Sequence, residues 1–403
     1  MQIQIRDGKG AIYMHIEIAG AGLAGLTAAA AFGKAGCSVR VHEKGSILRE
    51  IGAGIYLWEN GLRALEAIGA YDEVVSRAEK VEVPFLRDHD GSTLQDEWLR
   101  NHRLYTVGRR HLYQSLLNAA HRQGVEIVTD SSVTGATPNG TLTTADGREY
   151  RADLAIGADG VFSKVRDSLG LRQKLVDLRD GGGRHLIPRT GDDPVHQTIE
   201  QWNGGRRIGI IPCSPDETYV FLCCPANDVE GRKQNPFNAA TWIESFPEFR
   251  SQLERIPFDT EGRWAPFHDV HVSQWYSGRT VLVGDAAHAM SPNLGQAACV
   301  AMTNAVALAI SVTNSSSIDF ALKSWQEGQR EMSEGVQRYS RVYGKVGTMW
   351  PKGLLDARSA LVRKLTASRR VQGSINFAAE RFPAGQIQRI DTPVGIVRED
   401  VLA

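Results

Sequence analysis

Three stretches of this 403-residue chain combine acids, glycines and helix starts in ways that could do chemistry. In "GAGLAGL", Gly20, Gly22 and Gly25 form GxGxxG between an apolar run and an Ala-rich run. The first glycine suits a tight turn. The second lets backbone approach a pyrophosphate at the positive helix start, and the third lets helix and strand pack closely. Glu43 stands 18 residues after Gly25, at the end of the next apolar run, where a carboxylate can accept from ribose hydroxyls. Leu23 and Ala24 inside the turn and Lys44 beside Glu43 complete a candidate dinucleotide cradle. These residues fit FAD and NAD equally, and a packing turn of a parallel sheet is the alternative.

The second stretch is "GDAAHAMSPNLGQAACVAMTNAVALA", residues 284–309. Asp285 follows the apolar strand "RTVLV", and Pro292 and Gly295 shape a turn before a long run of small apolar residues. Asp285 could accept from a ribitol or ribose hydroxyl, or could cap a buried helix. The N–H groups of Leu294, Gly295 and Gln296 are expected to be free donors at that helix start. With the helix dipole they favour negative charge, which suits the anionic N1–C2 edge of a reduced flavin. His288 is read as structural. In the third stretch, "ADLAIGADGVFSKVRDSLG", Asp159 and Gly160 follow an apolar strand, and Ser163 and Arg166 are spaced one turn apart to share a helix face.

The elements that must hold these residues follow from periodicity. "HIEIAGAGLAGLTAAAAFGKAGCSVRVHEK" reads strand, helix, strand: a βαβ unit. Helices are predicted at "ENGLRALEAIGA", with Leu62, Leu65 and Ile68 on one face, and at "RRHLYQSLLNAAHRQG". Residues 77–104 are charged and broken, and read as an excursion. "TLTTADGREYRADLAIGADG" gives strands around an Asp-Gly turn. Beyond about residue 172, short strands separated by Gly and Pro indicate an antiparallel sheet. From Arg279 the chain returns to a strand and then to helices.

The totals narrow the classes. Lys plus Arg and Asp plus Glu are 46 each, so net charge supplies no attraction to nucleic acid or an anionic membrane. Hydrophobic residues at 42% are ample for a core. The five cysteines (Cys37, Cys213, Cys223, Cys224 and Cys299) have no metal-ligand spacing and suit a reducing cytoplasm, so no metal is expected. No stretch approaches the ~20 apolar residues of a membrane helix. Residues 1–13 read as a leader or upstream start ahead of Met14.

The three motifs in this order, GxGxxG with its acid, GADGxxSxVR and GDAAHxxxPxxG, resemble the single-component FAD-dependent aromatic hydroxylases of the p-hydroxybenzoate hydroxylase class over roughly residues 16–310. The run "GAGIYLW" is similar to pyridine-ring oxygenases of the 2-methyl-3-hydroxypyridine-5-carboxylate type. The resemblance implies an α/β fold: a Rossmann-like FAD-binding domain in two segments (14–172 and 276–345), an inserted antiparallel substrate domain (173–275) and a helical C-terminal region (346–403). It implies that Gly20, Gly22, Gly25 and Glu43 hold the FAD adenosine half. Arg109 of "GRRHLYQSL" contacts FAD, Asp159 serves the FAD and nicotinamide pyrophosphates, Asp285 meets the ribitol, and Pro292 lines the oxygenation site. Arg184, Arg207 and Tyr219 fall where the pyridine oxygenases contact substrate, with Tyr56 and Trp58 walling the pocket. Ala297 and Asn304 stand where many members have Gly and Asp.

The implied chemistry is flavin-borne. NADH or NADPH reduces FAD, O2 forms a C4a-hydroperoxide, and oxygen passes to a hydroxylated aromatic or N-heteroaromatic carboxylate, with ring opening an option. Arg184 and Arg207 would clamp the carboxylate bidentately, and Tyr219 would hydrogen-bond a ring hydroxyl or nitrogen. The rival readings are a flavin reductase or dehydrogenase without oxygen insertion, and a flavin-binding protein without turnover. No second GxGxxG exists, so a separate nicotinamide domain is not expected. The basic, amphipathic C-terminal stretch reads as a helix packing on its own domain or on a partner in a homodimer.

Overall fold

The computed structural model describes residues 14–48, 53–95, 102–260 and 262–389, so the leader reading of residues 1–13 lies outside the described part. The N-terminal unit is β1 (His15–Ala19), α1 (Leu23–Lys34) and β2 (Ser38–His42). β1 pairs in parallel with β2 on one side and with Leu154–Gly157 on the other. The six-stranded sheet runs Tyr276–Ser277, Thr280–Leu282, Leu154–Gly157, β1, β2, Glu126–Val128. Thr280–Leu282 joins it in parallel after the chain has left for more than a hundred residues, so the sheet is built from separated stretches. Alanines 28–31 of α1 are all fully buried, as a helix apolar all round requires.

β3 (Gly54–Trp58) pairs antiparallel with Leu104–Gly108, which runs directly into α2 (Arg109–Arg122). Two short helices, α3 (Lys164–Ser168) and α4 (Asp285–His288), follow the parallel strands Leu154–Gly157 and Thr280–Leu282.

The second sheet has seven strands. In order they are Ala265–Val272, β4 (Arg172–Pro188), β7 (Glu217–Pro225), β6 (Arg206–Pro212), β5 (Gln197–Asn203), Val83–Arg87 and Thr93–Gln95. Sequence reading leaves 77–104 as an excursion; the structure corrects this. Val83–Arg87 pairs in parallel with β5, and Thr93–Gln95 folds back on it across the turn closed by Asp88 and Ser92. The charged edge residues mask a strand whose order comes from the neighbour it pairs with. One face of this sheet buries Ile208, Ile210, Val220 and Leu222 against Trp242, Phe246 and Leu253. The other face is free to line a chamber.

Two long helices follow, α5 (Ala297–Thr313) and α6 (Ile318–Thr348), the second 31 residues long, and two shorter ones, Leu355–Thr366 and Arg369–Glu380, come after them in the C-terminal region expected to be helical. α6 runs unbroken across position 345, where the sequence suggests a boundary. Its buried stripe includes Leu322, Trp325, Met332, Val336, Ser340, Gly344 and Gly347. No helix among the described residues is long and apolar enough to cross a membrane.

Candidate functional site

The glycine turn is built as its spacing requires. Gly20 has φ +102°, and a Cβ there would stand 2.5 Å from the Ala158 carbonyl oxygen. A Cβ on Gly25 would overlap the Gly20 carbonyl, while one on Gly22 would meet nothing within 4 Å. Gly22 is the N-cap of α1 and no side chain caps it, so the first turn, with Leu23 and Ala24, keeps unused N–H donors. Glu43 accepts from Ala21 N (3.0 Å) and Gly45 N (2.9 Å), which fixes its carboxylate at the end of β2; Lys44 beside it is exposed.

Asp159 does something other than wait for a ligand. Its carboxylate accepts from Ser163 Oγ (2.5 Å), Lys164 N (2.7 Å) and Val165 N (3.1 Å), and so caps α3. Ser163 is the N-cap itself, accepting from Arg166 N at 2.9 Å, rather than a partner of Arg166 on one helix face. Arg166 is fully buried and donates to the carbonyls of Val161 (3.0 Å) and Ala286 (3.2 Å). The third motif is thus a staple that ties α3 to α4, and α4 begins with Asp285.

Asp285 keeps an exposed side-chain surface although protein surrounds it closely, and it lies within electrostatic reach of Arg109 and Arg184. Burial by the surrounding walls pushes its carboxyl pKa up, against the opposing pull of those two arginines. At the other end of α4, His288 accepts from Asn304 Nδ2 at 2.9 Å, and burial pushes it down to about 4, so it is a neutral, structural imidazole. The turn that follows departs from expectation at one donor. Gly295, at φ +62°, spends its N–H on the Pro292 carbonyl (2.8 Å), closing the 3-10 turn Pro292–Leu294. α5 starts at Ala297, with no side-chain cap. Ala297 occupies an ordinary first helical position, which tolerates a methyl group.

Tyr56, Trp58, Arg109, Arg184, Arg207, Tyr219, Pro292, Leu294 and Gly295 line one cavity of about 200 Å³. Strand periodicity explains the convergence. Tyr219, Phe221 and Cys223 alternate along β7 toward the cavity, and Thr198 and Glu200 do so along β5. Trp58 Nε1 donates to the Gly295 carbonyl at 3.2 Å, fastening β3 to the turn. Tyr219 lies beside Arg184, and burial pushes its hydroxyl up to about 12, so it remains a donor. Burial likewise raises Tyr56, which sits beside Thr198.

Arg207 lines this cavity but is not an idle clamp. It donates to Glu200 Oε1 (3.3 Å) and Asn293 Oδ1 (2.5 Å), and Asp180 Oδ2 lies 4.0 Å away. Glu200 also accepts from Trp202 Nε1 (2.7 Å) and from the Tyr343 hydroxyl (3.0 Å). Burial pushes the Glu200 carboxyl up, against the opposite pull of Arg207, Trp202 and Tyr343. α6 makes room for this cluster with glycines. A Cβ on Gly347 would stand 2.7 Å from Arg207 Cδ, and one on Gly344 would strike Asn293 Nδ2. Sequence reasoning missed Glu200, Asn293 and Tyr343. The alternation that puts Thr198 and Glu200 on one face of β5 was the available signal for the first; Tyr343 carries none. Among the described residues no group of His, Cys, Asp and Glu is arranged to hold a metal ion.

With this geometry in hand, likeness to known proteins is informative. Residues 13–315 match the FAD binding domain family. The chain is 34% identical over 374 residues to a 2-heptyl-3-hydroxy-4(1H)-quinolone synthase of Mycobacteroides abscessus, covering 88% of this chain and 99% of the relative. It is 30% identical to the protein of the same name from Pseudomonas aeruginosa, covering 89% and 96%. The solved tetrameric form of 2-methyl-3-hydroxypyridine-5-carboxylic acid oxygenase superposes with a TM-score of 0.83 at 35% identity, covering 94% of this chain and 99% of that one.

Proposed function

This chain belongs to the FAD binding domain family and is a flavoprotein monooxygenase of the aromatic-hydroxylase type, and we propose that it hydroxylates a hydroxylated N-heteroaromatic ring held in the chamber between the seven-stranded sheet and the Pro292–Gly295 turn. One observation carries the reading. The phenol of Tyr219, with Arg184 beside it, lines one chamber together with that turn, and the other walls include Ile55, Phe85, Leu86, Phe221 and Phe267. A planar ring fits such walls, and few polar groups are needed to orient it.

The cofactor is FAD, with NAD(P)H as reductant, and the residues present fit it. The open face at Gly22 and the uncapped start of α1 suit a pyrophosphate, and Glu43 suits the ribose of the adenosine half. Asp285, with Arg109 close by, and the turn from Pro292 to Gly295 with Leu294 would hold the ribitol and ring portion. When bound, FAD supplies hydride acceptance and oxygen activation. The chain's own part is positional. Tyr219, protonated because burial keeps its pKa near 12, donates to a ring oxygen; the apolar walls exclude water; and Trp58 keeps the turn and β3 in register. Asp159 enters as the cap that fixes α3, and through Arg166 it sets the position of α4.

The test is a panel of hydroxylated pyridines, quinolines and benzoates, offered to the FAD-loaded protein with NADH or NADPH. The expected result is substrate-stimulated oxygen uptake and a product heavier by one oxygen atom. Reductant oxidation that continues unchanged without oxygen would move the reading to a reductase.

A further inference from the structure

We propose that Glu200 selects the substrate: it cancels the charge of Arg207 and presents Oε2 as acceptor to a ring N–H or O–H, so that the chamber favours uncharged heteroaromatics over their carboxylated counterparts. The inference rests on the chamber being the substrate site, as read above.

The lone pairs set the direction. An ionised carboxylate offers about four acceptor positions. Three donors reach Glu200: Trp202 Nε1 and Arg207 Nη1 both approach Oε1, and the Tyr343 hydroxyl approaches Oε2. The unfilled capacity is therefore on Oε2. The side chain keeps 18% of its surface exposed, and Glu200 lines the cavity, so an incoming donor can reach it. A hydrogen bond to a carboxylate is charge-assisted and about twice as strong as a neutral one.

Charge balance points the same way. Arg207 is 1% exposed and has two carboxylates within ion-pair distance, Glu200 at 3.3 Å and Asp180 at 4.0 Å. Both of its Nη atoms are taken, one by Glu200 and one by Asn293. An arriving carboxylate would be the third negative group around one cation. The other cations lining the chamber, Arg109 and Arg184, lie beside Asp285. Against an apolar wall of Phe85, Phe221 and Phe267, a carboxylate directed at Arg207 meets a cation whose charge is already matched, a costly state. A site built to pair a substrate N–H also rejects strongly the analogue that lacks it.

The FAD-loaded full chain, its Glu200→Gln variant and its Tyr343→Phe variant are titrated with three probes. These are 4(1H)-quinolone, its 1-methyl derivative, which has no N–H, and 4(1H)-quinolone-2-carboxylate. The readout is the flavin absorbance change, with oxygen-dependent NAD(P)H oxidation alongside. The unaltered protein is expected to bind the parent about tenfold or more tighter than either analogue. Glu200→Gln should shrink the N–H preference and strengthen the carboxylate probe by about tenfold, because Arg207 loses its nearest counter-charge. Any steric penalty of the methyl group is common to both proteins and cancels in the comparison. Tyr343→Phe removes the donor that competes for Oε2 and should keep or raise the N–H preference, a check that stands even if Glu200→Gln folds poorly. The proposal is overturned if Glu200→Gln retains FAD and ranks the probes as the parent protein does, or if Tyr343→Phe abolishes the N–H preference. If the unaltered protein binds FAD but responds to no probe of the wider heteroaromatic panel, the substrate-site reading itself fails, and this inference with it.

Discussion

Replacing Gly347 with alanine asks whether α6 is shaped by the pocket floor. In a helix interior alanine is normally better than glycine by about 1 kcal/mol. At Gly347 the added methyl carbon would stand 2.7 Å from Arg207 Cδ and 3.2 and 3.3 Å from two ring atoms of Trp202, so these side chains must move. Both are fully buried and hydrogen-bonded to Glu200, which leaves little slack. Overpacking of this kind costs about 1–3 kcal/mol. Gly335, in the interior of the same helix, supplies the control, because a Cβ there meets nothing within 4 Å. Gly347 is one residue from the end of α6, where the propensity gain is no larger than at Gly335, so that gain cannot hide the overpacking cost. Gly335→Ala should therefore be more stable than Gly347→Ala by about the overpacking cost, 1–3 kcal/mol. Denaturant unfolding at equal FAD saturation measures the difference, since bound cofactor itself adds stability. If Gly347→Ala is stabilised as much as Gly335→Ala, the packing of α6 against Arg207 described above is wrong.

Asp285→Ala should cost FAD retention about tenfold to a hundredfold, the loss of one charge-assisted hydrogen bond, read as flavin content after dialysis. Asp159→Ala should act first on stability, lowering it by about 1–2 kcal/mol through the lost cap of α3, and this should appear in cofactor-free protein too. His288 gives a pH signature. Its folded pKa of about 4 lies below the ordinary 6.5, so as pH falls the unfolded chain takes up the proton first. The stability it contributes is complete above pH 6.5 and is lost progressively down to about pH 4, by about 3 kcal/mol in all. Relative to the parent, His288→Gln should flatten the stability curve between those limits, and an unchanged slope there would refute the assignment.

What the sequence disclosed and what it hid divide by range. Gly20, Gly25 and Glu43 are legible because turn sterics and a strand-end acid act within one βαβ unit. Asp159 was legible as an acid before a helix, but its capping of that helix was not, because a capping carboxylate and a ligand-facing one call for the same residue at the same place. Ser163 and Arg166 show the same ambiguity. Arg207 is legible only through the resemblance to the pyridine-ring oxygenases, and its partners come from three other elements, so its neutralisation by Glu200 was invisible. Tyr343 meets Glu200 across 143 residues of chain, and neither residue carries a local pattern that announces the other. The outer strands Val83–Arg87 and Thr93–Gln95 were missed for a related reason: their charges argued for a loop, and only the edge of β5 makes them strands.

A straight span of 31 residues is about 46 Å long. α6 uses that length to touch both halves of the molecule. Near its start Trp325 donates to the Asn304 carbonyl of α5, midway Gln337 donates to the carbonyls of Val270 and Ala289, and near its end Tyr343 donates to Glu200. Such a strut forbids the two sheets from sliding apart to admit a bulkier guest. Re-tooling this scaffold for another ring should therefore proceed by swapping individual wall residues, and insertions that lengthen or bend the strut should damage the vessel before they enlarge it.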